Sequence, residues 1–272
     1  MSETRVMHVI TGTALGGAEM MLLRYLRAMG DARAGHVVVS MMPLGALAAE
    51  IAALGVPVRT MGVAGAAGLP AGVMRLVRLI RAHDPQVLHC WMYHGCLAGT
   101  LAVLAARRGD IGLLWGMHHS LADPRREKRM TRAVFAALRR LAGRADVITY
   151  CSRVARDQHR RQGLSDARDR LIPNAIDCDE FRPDPQARAR LSALAGIPPG
   201  RLIVGSVGRN HPMKDHAAFA RCIAALVRMG HDVHGVVIGG GQPGGPAERQ
   251  AAADGIADRL SAIGPRQDIP AL

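Results

Sequence analysis

The segment Ile203–Phe219, IVGSVGRNHPMKDHAAF, combines an apolar run, a short turn and the start of an amphipathic helix. The apolar run predicts a buried strand, and two cations, Arg209 and Lys214, lie in the turn that follows it. The free N–H groups and the dipole of a helix N-terminus attract anions, and Arg and Lys add charge-assisted hydrogen bonds. The segment therefore predicts an α/β sheet with a phosphate-binding edge. The alternative is two exposed cations in a basic protein.

Strands and helices are predicted to alternate along the chain on both sides of this segment. Apolar runs predict the strands, and stretches with one apolar face predict the helices. This alternation indicates right-handed crossovers between parallel strands. The predicted strands are 5–12, 36–41, 56–61, 86–91, 111–117, 147–151, 170–173, 202–207, 233–239 and 260–264, and the predicted helices are 18–29, 70–83, 95–107, 125–143, 153–162, 216–229 and 246–254.

The proline-containing segment 177–199 predicts a linker with one short helix. It separates an N-terminal domain, 1–176, from a C-terminal domain, 200–272. Doubly wound domains have on the order of 100–150 residues. We therefore expect the second domain to lack two or three strands.

The chain is strongly basic, with 35 Lys and Arg against 22 Asp and Glu and a formal net charge of +13. Residues 125–161 alone contain twelve basic and three acidic residues. Such a patch suits an anionic membrane surface or a polyanionic substrate, whereas the codon usage of a GC-rich genome would explain the arginines without any partner. Nucleic acid is not expected as a partner, because aromatic residues make up only 3% and no known nucleic-acid-binding motif is present.

The cysteines are odd in number and lack metal-ligand spacing, which predicts reduced thiols in a cytoplasmic protein. The N-terminus has no secretory apolar region, and no apolar run is long enough to span a bilayer. Any membrane contact is therefore expected to be peripheral. The cysteines are Cys90, Cys96, Cys151, Cys178 and Cys222.

Candidate binding residues follow two strands of the predicted N-terminal sheet. Gly16 and Gly17 end the loop after the first strand, where ligands of open parallel sheets bind; a simple tight turn is the alternative. The pattern is not G-x-G-x-x-G, so a nicotinamide cofactor is not expected. His118 and His119 follow the strand 111–117 and could bind a sugar hydroxyl or polarise the reacting centre, or be structural. His89 lies within a strand and is expected in the core.

A second glycine-rich strand end lies in the C-terminal domain. Gly239 and Gly240 follow the strand after the Arg209–Lys214 turn. They either admit a nucleotide against the backbone or form a flexible loop.

Several motifs together resemble family 4 of the glycosyltransferases, the large retaining group with the GT-B fold. The resemblance runs from the first strand to the last residue. The motifs are GGAE (16–19), VLHCWMYHGCLAG (87–99), WGMHHS (115–120), IPNAIDCDEFRP (172–183), VGRNHPMKDHAAF (207–219) and IGPRQDIPAL (263–272).

The resemblance implies two facing Rossmann-like domains with parallel sheets, the first holding the acceptor and the second the nucleotide-sugar. It implies that Arg209 and Lys214 neutralise the donor diphosphate. It further implies that the Gly16–Gly17 loop touches diphosphate and acceptor, and that the family's histidine is His119 or, alternatively, His118. Asn174 is expected to shape the interdomain turn. No metal and no cofactor beyond the nucleotide-sugar are expected.

The implied reaction is sugar transfer with retention from a UDP-linked donor to a saccharide or lipid-linked acceptor. It would serve cell-surface polysaccharide or lipopolysaccharide synthesis, in the cytoplasm or at the inner face of the membrane. The family has a glutamate pair beyond the DIPAL segment, so the chain is expected to be C-terminally truncated. The alternatives are a non-catalytic basic module that docks on anionic membrane or polyanion, and a GT-B-fold UDP-sugar epimerase.

Overall fold

The computed structural model describes residues 4–164 and 168–272. The chain divides into two compact units, Met1–Ala175 and Ile176–Leu272. Both have parallel sheets with helices packed against them, so the predicted α/β fold class is confirmed. The segment 177–199, predicted as a linker, lies within the second unit.

The first unit has a seven-stranded parallel sheet with the order β3-β2-β1-β4-β5-β6-β7. The chain adds strands on one side of β1 and then on the other, so the topological switch point lies between β1 and β4. Ligands of open α/β sheets bind outside the carboxyl ends of the strands at this point. The strands are β1 (Val6–Ile10), β2 (His36–Ser40), β3 (Val58–Thr60), β4 (Val87–Trp91), β5 (Gly112–Met117), β6 (Val147–Tyr150) and β7 (Asp169–Leu171).

Helices cover this sheet on both faces and bury two apolar cores. The larger core contains Trp115, which is fully buried and donates a hydrogen bond from Nε1 to Thr100 Oγ1 at 3.1 Å. This bond satisfies the one polar group of the indole. The helices are α1 (Gly17–Ala28), α2 (Leu47–Ala53), α3 (Leu69–His83), α4 (Met92–Ala106), α5 (Arg129–Leu141) and α6 (Arg153–Arg161).

The second unit has a three-stranded parallel sheet with the order β10-β9-β8, and β9 is buried along its whole length. Two helices, α8 and α9, share a core with one face of the sheet. The elements are α7 (Ala187–Ala195), β8 (Leu202–Val207), α8 (His216–Arg228), β9 (Val233–Ile238), α9 (Pro246–Ala253) and β10 (Leu260–Ile263).

Helix α7 packs on the sheet of the second unit. Its Leu191, with Ile197, contacts the core that contains Val236 and Ile238. Ser261 Oγ donates a hydrogen bond to the carbonyl oxygen of Ala195 at 3.1 Å. The predicted short helix therefore covers one face of the sheet, because its apolar residues would otherwise face water.

Three helices differ from the prediction. Helix α2 was not predicted, and α4 begins at Met92 rather than at residue 95. The predicted helix 125–143 is divided, because Lys128 has extended backbone (φ −57°, ψ 145°) between a 3-10 turn and α5. Within the described residues, every helix is too short or too polar to cross a membrane.

Candidate functional site

The loop between β1 and α1 ends at the first candidate glycines. Gly16 precedes α1 with extended backbone (φ −155°, ψ 169°), and Gly17 is the first helical residue. A Cβ on Gly17 would have no described atom within 4 Å, whereas one on Gly16 would meet the carboxylate of Glu19. The chain's own packing therefore does not require glycine at position 17, whereas the carboxylate of Glu19 lies beside Gly16 at the N-terminus of the helix.

His118 is held by its neighbours at the end of β5. Its ring stacks on Trp91 (centroids 4.8 Å apart, planes at 15°), and its Nδ1 donates a hydrogen bond to Asn174 Oδ1 at 3.2 Å. Its Nε2 lies 3.3 Å from the position of a Cβ on Gly116, on the sheet. Burial lowers the pKa of His118, and the bond to Asn174 opposes this shift. Among the described residues, Nδ1 is thus the ring nitrogen of His118 that makes a hydrogen bond, and Nε2 makes none.

His119 has a different environment. Its Nε2 donates a hydrogen bond to Glu127 Oε1 at 2.9 Å, and the ring meets Tyr93 edge to face (centroids 6.1 Å apart). Among the described residues, Nδ1 has no hydrogen-bond partner. The side chain is 20% exposed. In the described part of the chain, each of the two candidate histidines therefore has one ring nitrogen without a hydrogen-bond partner, Nε2 in His118 and Nδ1 in His119.

Three histidines beneath this edge form a cluster beside Trp91, in which His8 and His36 are buried and His89 is partly buried. Trp91 Nε1 donates to His8 Nδ1 at 3.3 Å, so His8 Nε2 carries the proton and donates to His36 Nδ1 at 2.9 Å. His89 stacks on Trp91 (centroids 4.4 Å apart), and its buried Nε2 has no hydrogen-bond partner in the part of the chain that the structure describes. Burial lowers the pKa of His89 to about 3, and the nearby His118 and His36 add to the shift. His89 lies at a partly buried position of β4, with a buried Nε2, rather than in the fully buried core that was predicted, and its neighbours were not predicted.

We expect this cluster to make folding sensitive to acid. The pKa of His89 is lower in the folded chain than in the unfolded chain, where it is about 6.5, so the unfolded chain takes up protons first as the pH falls. The contribution of His89 to the free energy of unfolding should fall by on the order of 2 kcal/mol between pH 7 and pH 5. Urea unfolding at both pH values would measure this loss. The His89→Leu variant should lose less stability over the same interval, and an equal loss would contradict the assignment.

The Arg209–Lys214 turn follows β8 in the second unit. Lys214 ends a 3-10 turn that begins at Pro212, and Asp215 then precedes α8 in the left-handed region (φ 43°). Asp215 Oδ1 accepts a hydrogen bond from the N–H of Ala218 at 3.1 Å. A carboxylate of the chain therefore already caps one of the N–H groups that were predicted to be free. The two cationic side chains are the other candidate groups for an anion at this edge.

Arg209 and Lys214 are both exposed, and neither has a carboxylate partner among the described residues. The alkyl chain of Lys214 lies over Gly208, since a Cβ there would be 3.5 Å from Lys214 Cε. Some arginines of this unit do have a carboxylate partner; Arg201 and Arg259, for example, share the carboxylate of Asp232. The two cations at the carboxyl end of β8 are thus available for an external anion.

Backbone hydrogen bonds bring the second glycine-rich strand end beside this turn. The N–H of Asn210 donates to the carbonyl oxygen of Gly240 at 2.8 Å. Gly239 has φ 151°, and a Cβ on it would collide with the backbone of Gly208, whereas a Cβ on Gly240 would meet nothing within 4 Å. The packing of the two strand ends therefore explains why residue 239 is glycine. Of these two glycines, Gly240 is the one that leaves open space at this edge.

Two surface grooves lie away from these residues. They have volumes of about 590 and 520 Å³, flank the edge strand β3 and share Leu44, Val58 and Arg59. Neither contains a predicted site residue. The candidate site residues thus lie at the ends of strands, and neither of these two grooves includes them.

The fold defines a two-unit α/β protein whose candidate binding residues lie at the carboxyl ends of its parallel strands. The family model "Glycosyltransferase Family 4" matches residues 15–180. The chain belongs to this family, which confirms the resemblance found in the motifs.

Curated relatives and solved structures agree with this assignment. The chain is 29% identical over 192 residues to the GDP-mannose-dependent alpha-(1-6)-phosphatidylinositol monomannoside mannosyltransferase of Mycolicibacterium smegmatis, covering 70% of this chain and 48% of the relative. It is 26% identical to the putative glycosyltransferase EpsF of Bacillus subtilis, covering 98% and 70%. The crystal structure of HepE from Anabaena in complex with UDP-glucose has a TM-score of 0.80 at 19% identity, covering 98% and 70%. The chain thus spans about half of the first relative, and the structural likeness supports the GT-B fold.

Proposed function

We propose that this chain takes part in sugar transfer from a nucleotide-sugar, with Arg209 and Lys214 binding the donor diphosphate. The observation that carries the proposal is the pair of cations at the end of β8 that lack a carboxylate partner in the described chain. Family membership supports it, as does the mannosyltransferase activity for which the mycobacterial relative is named. We propose a UDP-linked donor; the GDP-mannose dependence of the mycobacterial relative makes GDP the alternative to test.

The proposed reaction occurs with retention. The bond between the anomeric carbon and the diphosphate oxygen breaks, and a bond to the acceptor hydroxyl oxygen forms on the same face of the sugar. The hydroxyl proton passes to the departing phosphate oxygen. Negative charge grows on the diphosphate as it leaves, and preorganised cations stabilise such charge most strongly in the transition state. The proposal requires neither a protein nucleophile nor a metal.

The first unit would hold the acceptor, a saccharide or a lipid-linked sugar. Gly16 and Gly17 would approach the substrates closely, and His119 would contact a hydroxyl group through its free ring nitrogen. The resemblance of the motifs makes His119 the first candidate for this role and His118 the alternative. We propose that the reaction serves the synthesis of cell-surface polysaccharide or lipopolysaccharide at the cytoplasmic face of the membrane. Basic residues of the chain would contact the membrane surface peripherally.

The variant Gly17→Ala should lower the activity without lowering the stability of the fold. We expect Gly17→Ala to leave the melting temperature unchanged or slightly raised, because the new Cβ meets open space and alanine favours a helix more than glycine does. The same variant should reduce the rate of sugar transfer by at least about tenfold, a loss of about 1.4 kcal/mol in transition-state binding. Wild-type transfer rates in a stable variant would refute the role of this loop.

An assay with labelled donors tests the proposed reaction. UDP-sugars and GDP-mannose would be incubated with the chain and with saccharide or lipid-linked acceptors, and products followed by mass spectrometry and by NMR of the new anomeric centre. Transfer predicts an acceptor that gains one sugar in the donor's anomeric configuration. An altered UDP-sugar without acceptor would indicate an epimerase. Binding to anionic vesicles without any nucleotide binding would indicate a non-catalytic module.

A further inference from the structure

We propose that Glu127 is a positioning residue that fixes the tautomer and orientation of His119, so that His119 Nδ1 accepts a hydrogen bond from a substrate hydroxyl group. This inference rests on the proposed role of His119 in substrate binding. It assigns a function to a carboxylate that no sequence motif indicated. It also names the chemical group that faces the histidine.

The 3-10 turn Pro124–Arg126 holds Glu127 in place. Asp123 Oδ1 accepts a hydrogen bond from the N–H of Arg125 at 2.9 Å, and the N–H of Glu127 donates to the carbonyl oxygen of Pro124 at 3.2 Å. The side chain of Glu127 is 25% exposed. The backbone of Glu127, whose carboxylate accepts the hydrogen bond from His119 Nε2, is therefore fixed by a hydrogen-bonded turn.

A second set of contacts fixes the other side of the His119 ring. The edge-to-face contact comes from Tyr93, whose hydroxyl group donates to His159 Nε2 at 2.7 Å. His159 is fully buried, and its Nδ1 donates to the carbonyl oxygen of Ala155 at 2.7 Å, which sets its tautomer. Tyr93 cannot rotate away without breaking this bond, so the ring of His119 is held between α4 and the Glu127 turn.

The pairing with Glu127 determines what His119 can bind. A carboxylate oxygen only accepts hydrogen bonds, so His119 Nε2 must carry the proton. In the neutral ring, Nδ1 then has a lone pair and needs a donor. A sugar hydroxyl group offers such a hydrogen, whereas an ionised phosphate oxygen does not. The geometry therefore assigns a hydroxyl group of the donor sugar or acceptor to this position.

Nitrogen NMR on the ¹⁵N-labelled chain tests the tautomer without requiring activity. The ring signals of His119 would be identified by their absence in His119→Gln. We expect the Nε2–H tautomer in the wild type and a mixture of tautomers in Glu127→Ala. An Nδ1–H tautomer in the wild type, or spectra unchanged by Glu127→Ala, would overturn the positioning role whatever the activity.

A double-mutant cycle on sugar transfer tests the functional consequence. We expect Glu127→Ala to reduce kcat/KM about tenfold in the wild type and to have no effect in His119→Ala. Glu127→Gln retains an acceptor oxygen and should retain most of the rate. Asp31→Ala, which removes an exposed carboxylate elsewhere in the first unit, is the matched control and should change nothing.

The two proposals fail in different ways. If His119→Ala transfers sugar at the wild-type rate, the proposed role of His119 is wrong, and with it the assignment of the hydroxyl group. If His119→Ala is impaired while Glu127→Ala is not, the role of His119 stands and the positioning by Glu127 is wrong.

Discussion

Lys214→Ala is expected to weaken the binding of UDP by about 10- to 100-fold and to leave the fold intact. A hydrogen bond to a charged group contributes about 1.5–3 kcal/mol, and each 1.4 kcal/mol corresponds to a tenfold change in Kd. Lys214 is exposed and has no carboxylate partner among the described residues, so its removal leaves no buried group unsatisfied. Isothermal titration calorimetry would measure Kd, and thermal unfolding would check the fold.

The matched control is Arg228→Ala, at the opposite end of α8. Arg228 is exposed and, within the described chain, has no ion-pair partner, so its loss removes the same charge from the same unit without touching the strand ends. We expect this variant to bind UDP as the wild type does. Equal weakening in both variants would mean that overall charge, and not a site at β8, attracts the nucleotide.

Gly239→Ala is expected to destabilise the second unit by roughly 3 kcal/mol or more. The residue has φ 151°, a backbone conformation that L side chains rarely adopt, and the new Cβ would collide with the carbonyl group of Gly208. Relief of the collision would separate the ends of β8 and β9. Hydrogen exchange of residues 202–207 and 233–238 would detect this as faster exchange in both strands.

Gly240→Ala is the control for this effect, since the two glycines are adjacent. Its Cβ would enter open space, so the exchange of both strands should stay as in the wild type. If a nucleotide approaches the backbone there, UDP binding should weaken in a folded protein. Fast exchange in Gly240→Ala, or wild-type exchange in Gly239→Ala, would contradict this reading of the strand ends.

The positions of the strands along the chain could be predicted because their apolar runs, several of which end in glycine, are distinct in this sequence. β8 was predicted at its observed bounds, Leu202–Val207. Helix α2 was overlooked although the signal was present, since alanine favours helices and Leu47, Ile51 and Leu54 recur at helical spacing. Its helical conformation comes from packing of Leu47 and Ile51 against α1 and β2.

The positions of the candidate site residues could be predicted, but their partners could not. Strand ends follow from the alternation of elements, so His118 and His119 were expected at an edge. The bond of His118 to Asn174 joins residues 56 positions apart, and no local pattern indicates it. The capping of α8 by Asp215 was overlooked although the signal was present, since Asp is a preferred N-cap residue.

Comparison of UDP with uridine measures the contribution of the diphosphate directly. We predict that the wild-type chain binds UDP at least about 100-fold more tightly than uridine, because two charge-assisted contacts distinguish them. In the Arg209→Ala/Lys214→Ala variant, most of this difference should disappear while uridine binding is unchanged. A wild-type chain that binds UDP no more tightly than uridine would contradict the proposal that these two cations hold a nucleotide diphosphate.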